Sequence, residues 1–135
     1  FLSGKMQIQN EEQVFMLKRL RTANDAPMAI ETCFLREDVG KHISDLLVDN
    51  TSLYKLLAEE CGIQLKYAMQ TIEVGSLEKV ERDLLGRNCP RSTAIITRQT
   101  FDVDNNVIEF VESRYRSDRY LFRMLLELND TGIVD

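Results

Sequence analysis

Two arginines spaced two positions apart, Arg19 and Arg21, end a strand-like run from Val14 to Thr22. Because side chains alternate across a strand, both guanidinium groups project to one side, with Phe15 and Leu17 behind them. Such a pair can hold a phosphate or a carboxylate through several charge-assisted hydrogen bonds. The spacing therefore indicates an anion-binding site; the alternative is a salt bridge to a carboxylate of the same chain.

Two later strand-like runs each carry a single carboxylate among apolar residues. A lone charge on an apolar face is costly to bury unless it meets a partner. We therefore expect these glutamates to converge with the arginines or with a ligand, and solvent exposure at a sheet edge is the alternative. The predicted faces are Glu31 with Ala29, Cys33 and Leu35, and Glu109 with Val107, Val111, Ser113 and Tyr115.

Turn-forming residues organise the strands that must position these side chains. The stretch Asn24-Asp25-Ala26-Pro27 predicts a hairpin between the first strand and a second one, and Asp104-Asn105-Asn106 predicts another hairpin near the end of the chain. The apolar periodicity of Tyr120–Leu128 fits either a strand or a helix. We choose a strand, because it would pair with the preceding strand-like run, Val107–Arg116. The predicted strands after the first are Met28–Leu35, Gln64–Val74, Ser92–Asp102, Val107–Arg116 and Tyr120–Leu128.

Two helices are predicted from apolar periodicity and end signals. Thr51 or Ser52 caps the first, which carries Leu53, Leu56 and Leu57 on one face and stops at Gly62. The second is predicted to be capped by Ser76 and to stop at Gly86, with an ion pair between Glu78 and Arg82; its apolar face would hold Leu77, Val80, Leu84 and Leu85. The segment Asp38 to Asp49 is predicted to be a short helix or an irregular connection. The fold class is thus α+β, with helices packed on an antiparallel sheet.

Size and composition indicate one domain over residues 1–135, with residues 1–10 as a remnant of a linker or an upstream element. The net charge of −5 argues against a nucleic-acid surface in this chain. The first residue, Phe1, favours a domain cut from a longer polypeptide. Without a membrane-spanning apolar run or a signal-peptide pattern, we expect a cytoplasmic protein and no membrane partner.

Three cysteines, odd in number and far apart, argue against a disulfide framework or a zinc site, so no metal and no cofactor is expected. Cys33, Cys61 and Cys89 are interpreted as packing residues, and the single histidine, His42, as structural. Acidic residues are interspersed among the arginines near the end of the chain. We therefore expect a solvated or interdomain face from Arg114, Arg116, Arg119 and Arg123.

Several short motifs together resemble the UTRA effector-binding domain of GntR/HutC-type bacterial transcription regulators. The first is Arg19-Leu20-Arg21-Thr22-Ala23, followed by Pro27, Glu31-Thr32 and Ser52-Leu53-Tyr54; the second is Ile108-Glu109, then Ser113 to Tyr120 with Phe122. The resemblance covers about residues 10 to 128. Ser117 departs from it, because a glycine is common there in the family, and this puts the local turn in question.

The resemblance implies a curved antiparallel sheet similar to chorismate lyase, without catalytic activity. It also implies a homodimer that binds a small anionic metabolite, often a phosphorylated amino sugar, and a winged helix-turn-helix DNA-binding domain that is absent from this chain. The effector-binding positions carried over from the family are Arg19, Arg21, Glu31, Ser52, Tyr54, Glu109 and Tyr115. Two other functions stay open: a chorismate lyase-like enzyme acting on a small dicarboxylate, and a dimerisation module without a ligand.

Overall fold

The computed structural model describes residues 5–6, 13–46 and 52–133, and within them a five-stranded antiparallel sheet carries three α-helices. The strand order is β1-β2-β5-β4-β3, so β5 lies at the centre and joins the β1–β2 hairpin to the β3–β4 hairpin. This confirms the predicted α+β class. The long strands are β1 (Val14–Ala23), β2 (Ala26–Arg36), β3 (Leu65–Ser76), β4 (Ser92–Asp102) and β5 (Val107–Arg116), and the helices are α1 (Glu37–Ile43), α2 (Leu53–Cys61) and α3 (Lys79–Leu85).

Both predicted hairpin turns are present. Asn24 and Asp25 adopt left-handed conformations, with φ of 52° and 64°, which short polar side chains tolerate. In the second turn Asn105 has φ of 63°, and the Asp102 carboxylate accepts hydrogen bonds of 2.9 Å from the backbone N–H groups of Asp104 and Asn106. Local turn chemistry therefore sets the pairing of each hairpin.

Helices cover both faces of the sheet. Helices α1 and α2 pack on the face that carries Cys33, Leu35 and Val111, where they form the largest buried cluster. Helix α3 lies against the opposite face, with Leu85 packed near Ile30. On the face of α1 and α2 there is also a small cavity, which Ser52, Leu53 and Tyr54 at the start of α2 help to line.

The ends predicted for helix α2 are confirmed. The Ser52 hydroxyl accepts a hydrogen bond of 3.4 Å from the Lys55 N–H, and Gly62 ends the helix in the left-handed region with φ of 65°. Before it, the predicted Asp38–Asp49 segment is helix α1 followed by a 3-10 helix, Ser44–Leu46. Thr51, the other candidate cap, and residues 47–49 lie outside the described residues.

Helix α3 differs from its prediction at its start. Ser76 is the last residue of β3, and the helix is capped by Glu78, whose side chain accepts from the backbone of Glu81 while the Glu81 carboxylate accepts from the Glu78 N–H. This capping box uses the Glu78 carboxylate, so the ion pair on the helix joins Lys79 to Asp83 instead of Glu78 to Arg82. The apolar face is also narrower than predicted: Leu77 and Leu85 are buried, whereas Val80 and Leu84 are exposed.

The strand predicted over Tyr120–Leu128 is wrong. After a 3-10 helix, Ser117–Arg119, the chain is irregular until a two-residue strand, β6 (Leu128–Asn129), pairs with β7 (Gly132–Ile133). The predicted partner, β5, already pairs with β2 on one side and β4 on the other, so neither of its edges is free. The apolar residues of this segment therefore do not belong to a strand of the main sheet.

Val107 does not share a face with Glu109 as predicted, because β5 has a β-bulge near its start. Thr100 pairs with Glu109, but the next residue, Phe101, pairs with Val107, so Ile108 is the extra residue. Val107 consequently packs with Met6 and Phe110, whereas Ile108 joins the cluster under α1 and α2. The prediction for residues 1–10 lies largely outside the described residues.

Arg116 also differs from its prediction, because its side chain is buried instead of solvated. Its guanidinium donates to the backbone carbonyls of Leu85 at 3.0 Å and Arg87 at 3.3 Å, and pairs with the Asp118 carboxylate at 2.8 Å. Its Nη1 therefore binds the end of α3 to the sheet. The turn questioned at Ser117 forms in this chain, where the Ser117 hydroxyl lies 2.8 Å from the Ser92 hydroxyl.

Candidate functional site

The paired arginines meet the first glutamate across the β1–β2 hairpin. Register places Arg19 directly opposite Glu31. The Arg19 Nη2 atom lies 2.7 Å from Glu31 Oε1, and Arg21 Nε lies 3.8 Å from Glu31 Oε2. The predicted convergence is therefore observed, in the form of the salt bridge that was the alternative interpretation. Arg21 is the more exposed of the two arginines, with 45% of its side-chain surface accessible against 19% for Arg19.

The second glutamate, Glu109, is fully buried, so the edge exposure considered for it is wrong. Its Oε1 atom accepts hydrogen bonds from the Tyr54 hydroxyl at 2.6 Å and from the Thr100 hydroxyl at 2.9 Å. The Cys33 thiol lies 3.7 Å from Oε2. Neutral donors from α2, β4 and β2 thus surround a carboxylate, which has no cation in ion-pair contact among the described residues.

Burial changes the chemistry of the two groups beside this carboxylate. Burial and the hydrogen bond to Glu109 raise the pKa of Tyr54 to about 12, so the phenol stays protonated and keeps donating. Burial and the nearby Glu109 and Glu31 charges raise the pKa of the Cys33 thiol far above its ordinary value. Neither group is activated as a nucleophile, since activation requires the opposite shift.

A cavity of about 200 Å³ lies on the α1–α2 face of the sheet, beside the start of α2. The volume is below the roughly 300 to 1,000 Å³ of drug-sized pockets, which fits a small metabolite. Six of the seven predicted site residues lie on its wall, together with three that were not predicted. The lining consists of Arg19, Arg21, Glu31, Ser52, Leu53, Tyr54, Arg98, Glu109 and Val111.

Tyr115, the seventh predicted site residue, does not line the cavity. Its ring packs against Tyr120, with 4.9 Å between ring centroids. Burial, followed by the charge of Glu31, raises the pKa of its phenol, which shows that it lies near the same carboxylate. Tyr115 therefore stands beside the cavity on the same sheet face.

Arg98 is the most important lining residue that the sequence interpretation missed. It lies opposite Val111 in the β4–β5 register, and its guanidinium sits 5.6 Å from the centroid of the Tyr54 ring. In the sequence Arg98 is one of several polar residues in a β-branched run, so only the register could have revealed it. Thr100, two residues further along the same strand, was missed for the same reason.

A larger cavity of about 380 Å³ lies on the opposite sheet face, where the three glutamates of the lining outnumber its two cations and Arg114 is already paired. There the Arg114 Nε atom lies 2.8 Å from Glu112 and 3.6 Å from Glu81. The smaller cavity is the better candidate for the predicted anion site because its three arginines outnumber its two glutamates and the start of α2 lies on its wall. Over residues 5–6, 13–46 and 52–133, no group of three or more His, Cys, Asp or Glu is placed to hold a metal ion. No described helix is long and apolar enough to cross a membrane.

Comparison with known proteins places this fold among the effector domains of GntR-family transcription regulators. The UTRA domain family matches residues 1–121, and the chain belongs to this family. The chain spans about half the length of the curated relatives it matches.

Among curated proteins, the chain is similar to the HTH-type transcriptional repressor NagR of Bacillus subtilis, with 28% identity over 109 residues, 81% of this chain and 44% of that protein. It is 25% identical to the HTH-type transcriptional repressor PhnF of Mycolicibacterium smegmatis over 133 residues, 98% of this chain and 54% of that protein. Among solved structures, the effector domain of PhnF from Mycobacterium smegmatis superposes with a TM-score of 0.85 at 25% identity, covering 93% of this chain and 77% of that one. The effector-binding domain of the Bacillus subtilis trehalose repressor TreR shares the fold, with a TM-score of 0.74 at 16% identity and coverage of 96% and 89%.

Proposed function

We propose that the cavity binds a small anionic metabolite, a sugar phosphate or amino-sugar phosphate, and that this binding regulates transcription. The supporting observation is its charge: three arginines and two glutamates line the wall, so 3 − 2 leaves one net positive charge. A phosphate would neutralise that positive charge, while sugar hydroxyls or an amine would donate hydrogen bonds to Glu31 and Glu109. All seven predicted site residues keep this role in the proposal, with Tyr115 at the rim.

The regulatory step is a shift in DNA affinity. The chain resembles the effector halves of repressors, and we propose that a winged helix-turn-helix domain of the HutC subfamily precedes it in the whole regulator. An effector that prefers one arrangement of the whole regulator changes operator affinity, and a coupling of about 1 to 3 kcal/mol is typical. In this proposal the domain has no catalytic activity and acts in the cytoplasm.

A homodimer is part of the same proposal, and an exposed apolar segment supports it. Between residues 121 and 128, six apolar side chains are exposed, and a monomer rarely leaves such a stretch uncovered. Light scattering should give twice the monomer mass, and Leu125→Asp should lower it to the monomer mass if this segment forms the interface. A monomeric unmutated protein would refute the dimer. The segment contains Leu121, Phe122, Met124, Leu125, Leu126 and Leu128.

Thermal unfolding against a panel of sugar phosphates and organic acids tests the proposed ligand class. At 100 times its dissociation constant a ligand adds about 2.7 kcal/mol of stability, which should raise the melting temperature by several degrees. We expect a shift with glucosamine-6-phosphate or a related compound, and its loss in a folded Arg21→Ala variant. A shift only with non-phosphorylated acids would overturn the sugar-phosphate assignment.

A chorismate lyase-like enzyme is the alternative, because the same arginines could hold a dicarboxylate. The named relatives are transcriptional regulators, which favours a regulatory domain. Incubation with chorismate should leave it unchanged. Formation of 4-hydroxybenzoate would instead establish the enzyme.

A further inference from the structure

We infer that Arg98 is the principal anchor for the anionic group of the effector, an inference that rests on the proposed function. Arg98 is on the cavity wall and was not among the positions carried over from the family motifs. It would hold a phosphate or another compact oxyanion at the side of the cavity formed by the start of α2. The Arg19–Arg21 pair would then contact the opposite part of the ligand.

The three cavity arginines differ in how their charges are balanced. Glu31 lies within 2.7 Å of Arg19 and 3.8 Å of Arg21, so one carboxylate already serves both. Arg98 has no carboxylate of the described residues in ion-pair contact. An incoming anion gains most at the cation that is not yet paired, because it need not displace a carboxylate.

The hydrogen bonding of Arg98 supports the same conclusion. Its Nε atom, like that of Arg19, is buried and has no hydrogen-bond acceptor among the described residues, but only Arg19 already pairs with Glu31 through another guanidinium nitrogen. A buried donor without a partner is costly and calls for an explanation such as an absent ion. The Arg98 guanidinium is also held in place, since it lies 5.6 Å from the centroid of the Tyr54 ring.

The start of helix α2, which lies beside Arg98, adds further positive charge to this side of the cavity. Tyr54 lies in the first turn of α2, and Ser52, Leu53 and Tyr54 all line the cavity beside Arg98. The start of a helix carries partial positive charge and N–H groups without intrahelical acceptors. A guanidinium and a helix start on the same wall favour an anion between them, which orients the rest of the ligand toward Glu31 and Glu109.

Calorimetric titration of Arg98→Gln tests the inference, with glucosamine-6-phosphate and unphosphorylated glucosamine as probes. We expect the variant to lose at least about tenfold in affinity for the phosphate, as for loss of a hydrogen bond to a charged group, and to bind glucosamine as the unmutated protein does. Arg91→Gln is the matched control, because it removes the same charge from the exposed segment before β4, outside the cavity lining. Equal affinity of Arg98→Gln and the unmutated protein for the phosphate would overturn the inference and leave the proposed function intact.

If the unmutated protein binds no sugar phosphate, the proposed ligand class fails, and nuclear magnetic resonance can still test whether Arg98 binds an anion. Inorganic phosphate is added while the arginine Nε–Hε signals are followed. A saturable shift of the Arg98 signal, larger than those of Arg19 and Arg21, would support an anion site at Arg98. An unchanged Arg98 signal, or a larger shift at Arg19, would overturn the inference.

Discussion

The hydroxyl of Tyr54 donates a 2.6 Å hydrogen bond to the buried carboxylate of Glu109, which joins the first turn of α2 to the central strand of the sheet. The two residues are 55 positions apart, and no cation of the described residues pairs with the carboxylate. The bond therefore links the stability of the domain to the shape of its cavity.

Removing this hydroxyl should destabilise the domain. Tyr54→Phe leaves the buried Glu109 carboxylate with one donor fewer, and the expected loss in the free energy of unfolding is about 1 to 3 kcal/mol. Urea denaturation measures it. Tyr67→Phe is the matched control, because that exposed ring stacks on Phe101 and would keep the stacking. Equal stability of the two variants would show that Glu109 does not need the phenol.

The ion pair between Arg116 and Asp118 should make the stability of the folded domain depend on pH. The hydrogen bond from Arg116 holds the pKa of the Asp118 carboxyl below its ordinary value of 3.8. The folded state therefore binds fewer protons, so the pair contributes fully above about pH 5 and its contribution disappears as the pH falls through the lowered pKa.

Asp118→Asn should consequently unfold at a lower temperature than the unmutated protein at pH 7, and the difference should vanish as the pH falls through the lowered pKa of Asp118. Melting curves across this range measure the effect. Asp83→Asn, in an exposed ion pair on α3, controls for the loss of one negative charge. A difference that is constant with pH would assign the effect to something other than this ion pair.

Cys33 should be the least reactive thiol of the folded protein. It is 1% exposed, and burial together with the adjacent carboxylates raises its pKa, so almost no thiolate is available for alkylation. With iodoacetamide at pH 8, mass spectrometry should find Cys61 and Cys89 modified long before Cys33. In urea all three should react at similar rates. Early modification of Cys33 would contradict its buried position.

Gly40 should not tolerate a larger residue despite its place in helix α1. A Cβ atom at this position would overlap the Cβ and Cγ atoms of Phe15. Overpacking of this kind costs about 1 to 3 kcal/mol, which outweighs the gain of about 1 kcal/mol in helix propensity from Gly40→Ala. Urea denaturation should therefore show a net loss of stability, and the loss should shrink in a Phe15→Ala background. A stabilised Gly40→Ala variant would show that Phe15 moves freely.

Sequence patterns predicted the elements whose signals are local. The hairpin turns at Asn24-Asp25 and Asn105 and the ends of α2 at Ser52 and Gly62 follow from short-range backbone preferences, and the structure has them where they were expected. The predicted start of α3 was wrong because Ser76, the better cap by residue type, is the last residue of β3, and the length of that strand is not a local signal.

The parts that failed depend on contacts between distant strands. The apolar pattern over 120–128 fits strand or helix, and the strand expected there fails because the central strand has no free edge for it. The bulge at Ile108 changes the face of Val107, and the register of β4 brings Arg98 to the cavity. Neither feature leaves a signal near its own position in the chain.

The central position of β5 has a consequence for the order in which the domain is made. Residues 107–116 leave the ribosome after the other four long strands, yet they alone join the two hairpins into one sheet. Until then the growing chain holds two separate hairpins, each with an open edge that invites pairing with other chains. Glu109 also arrives with this strand, so the wall of the cavity is complete only after nearly all of the domain has been synthesised.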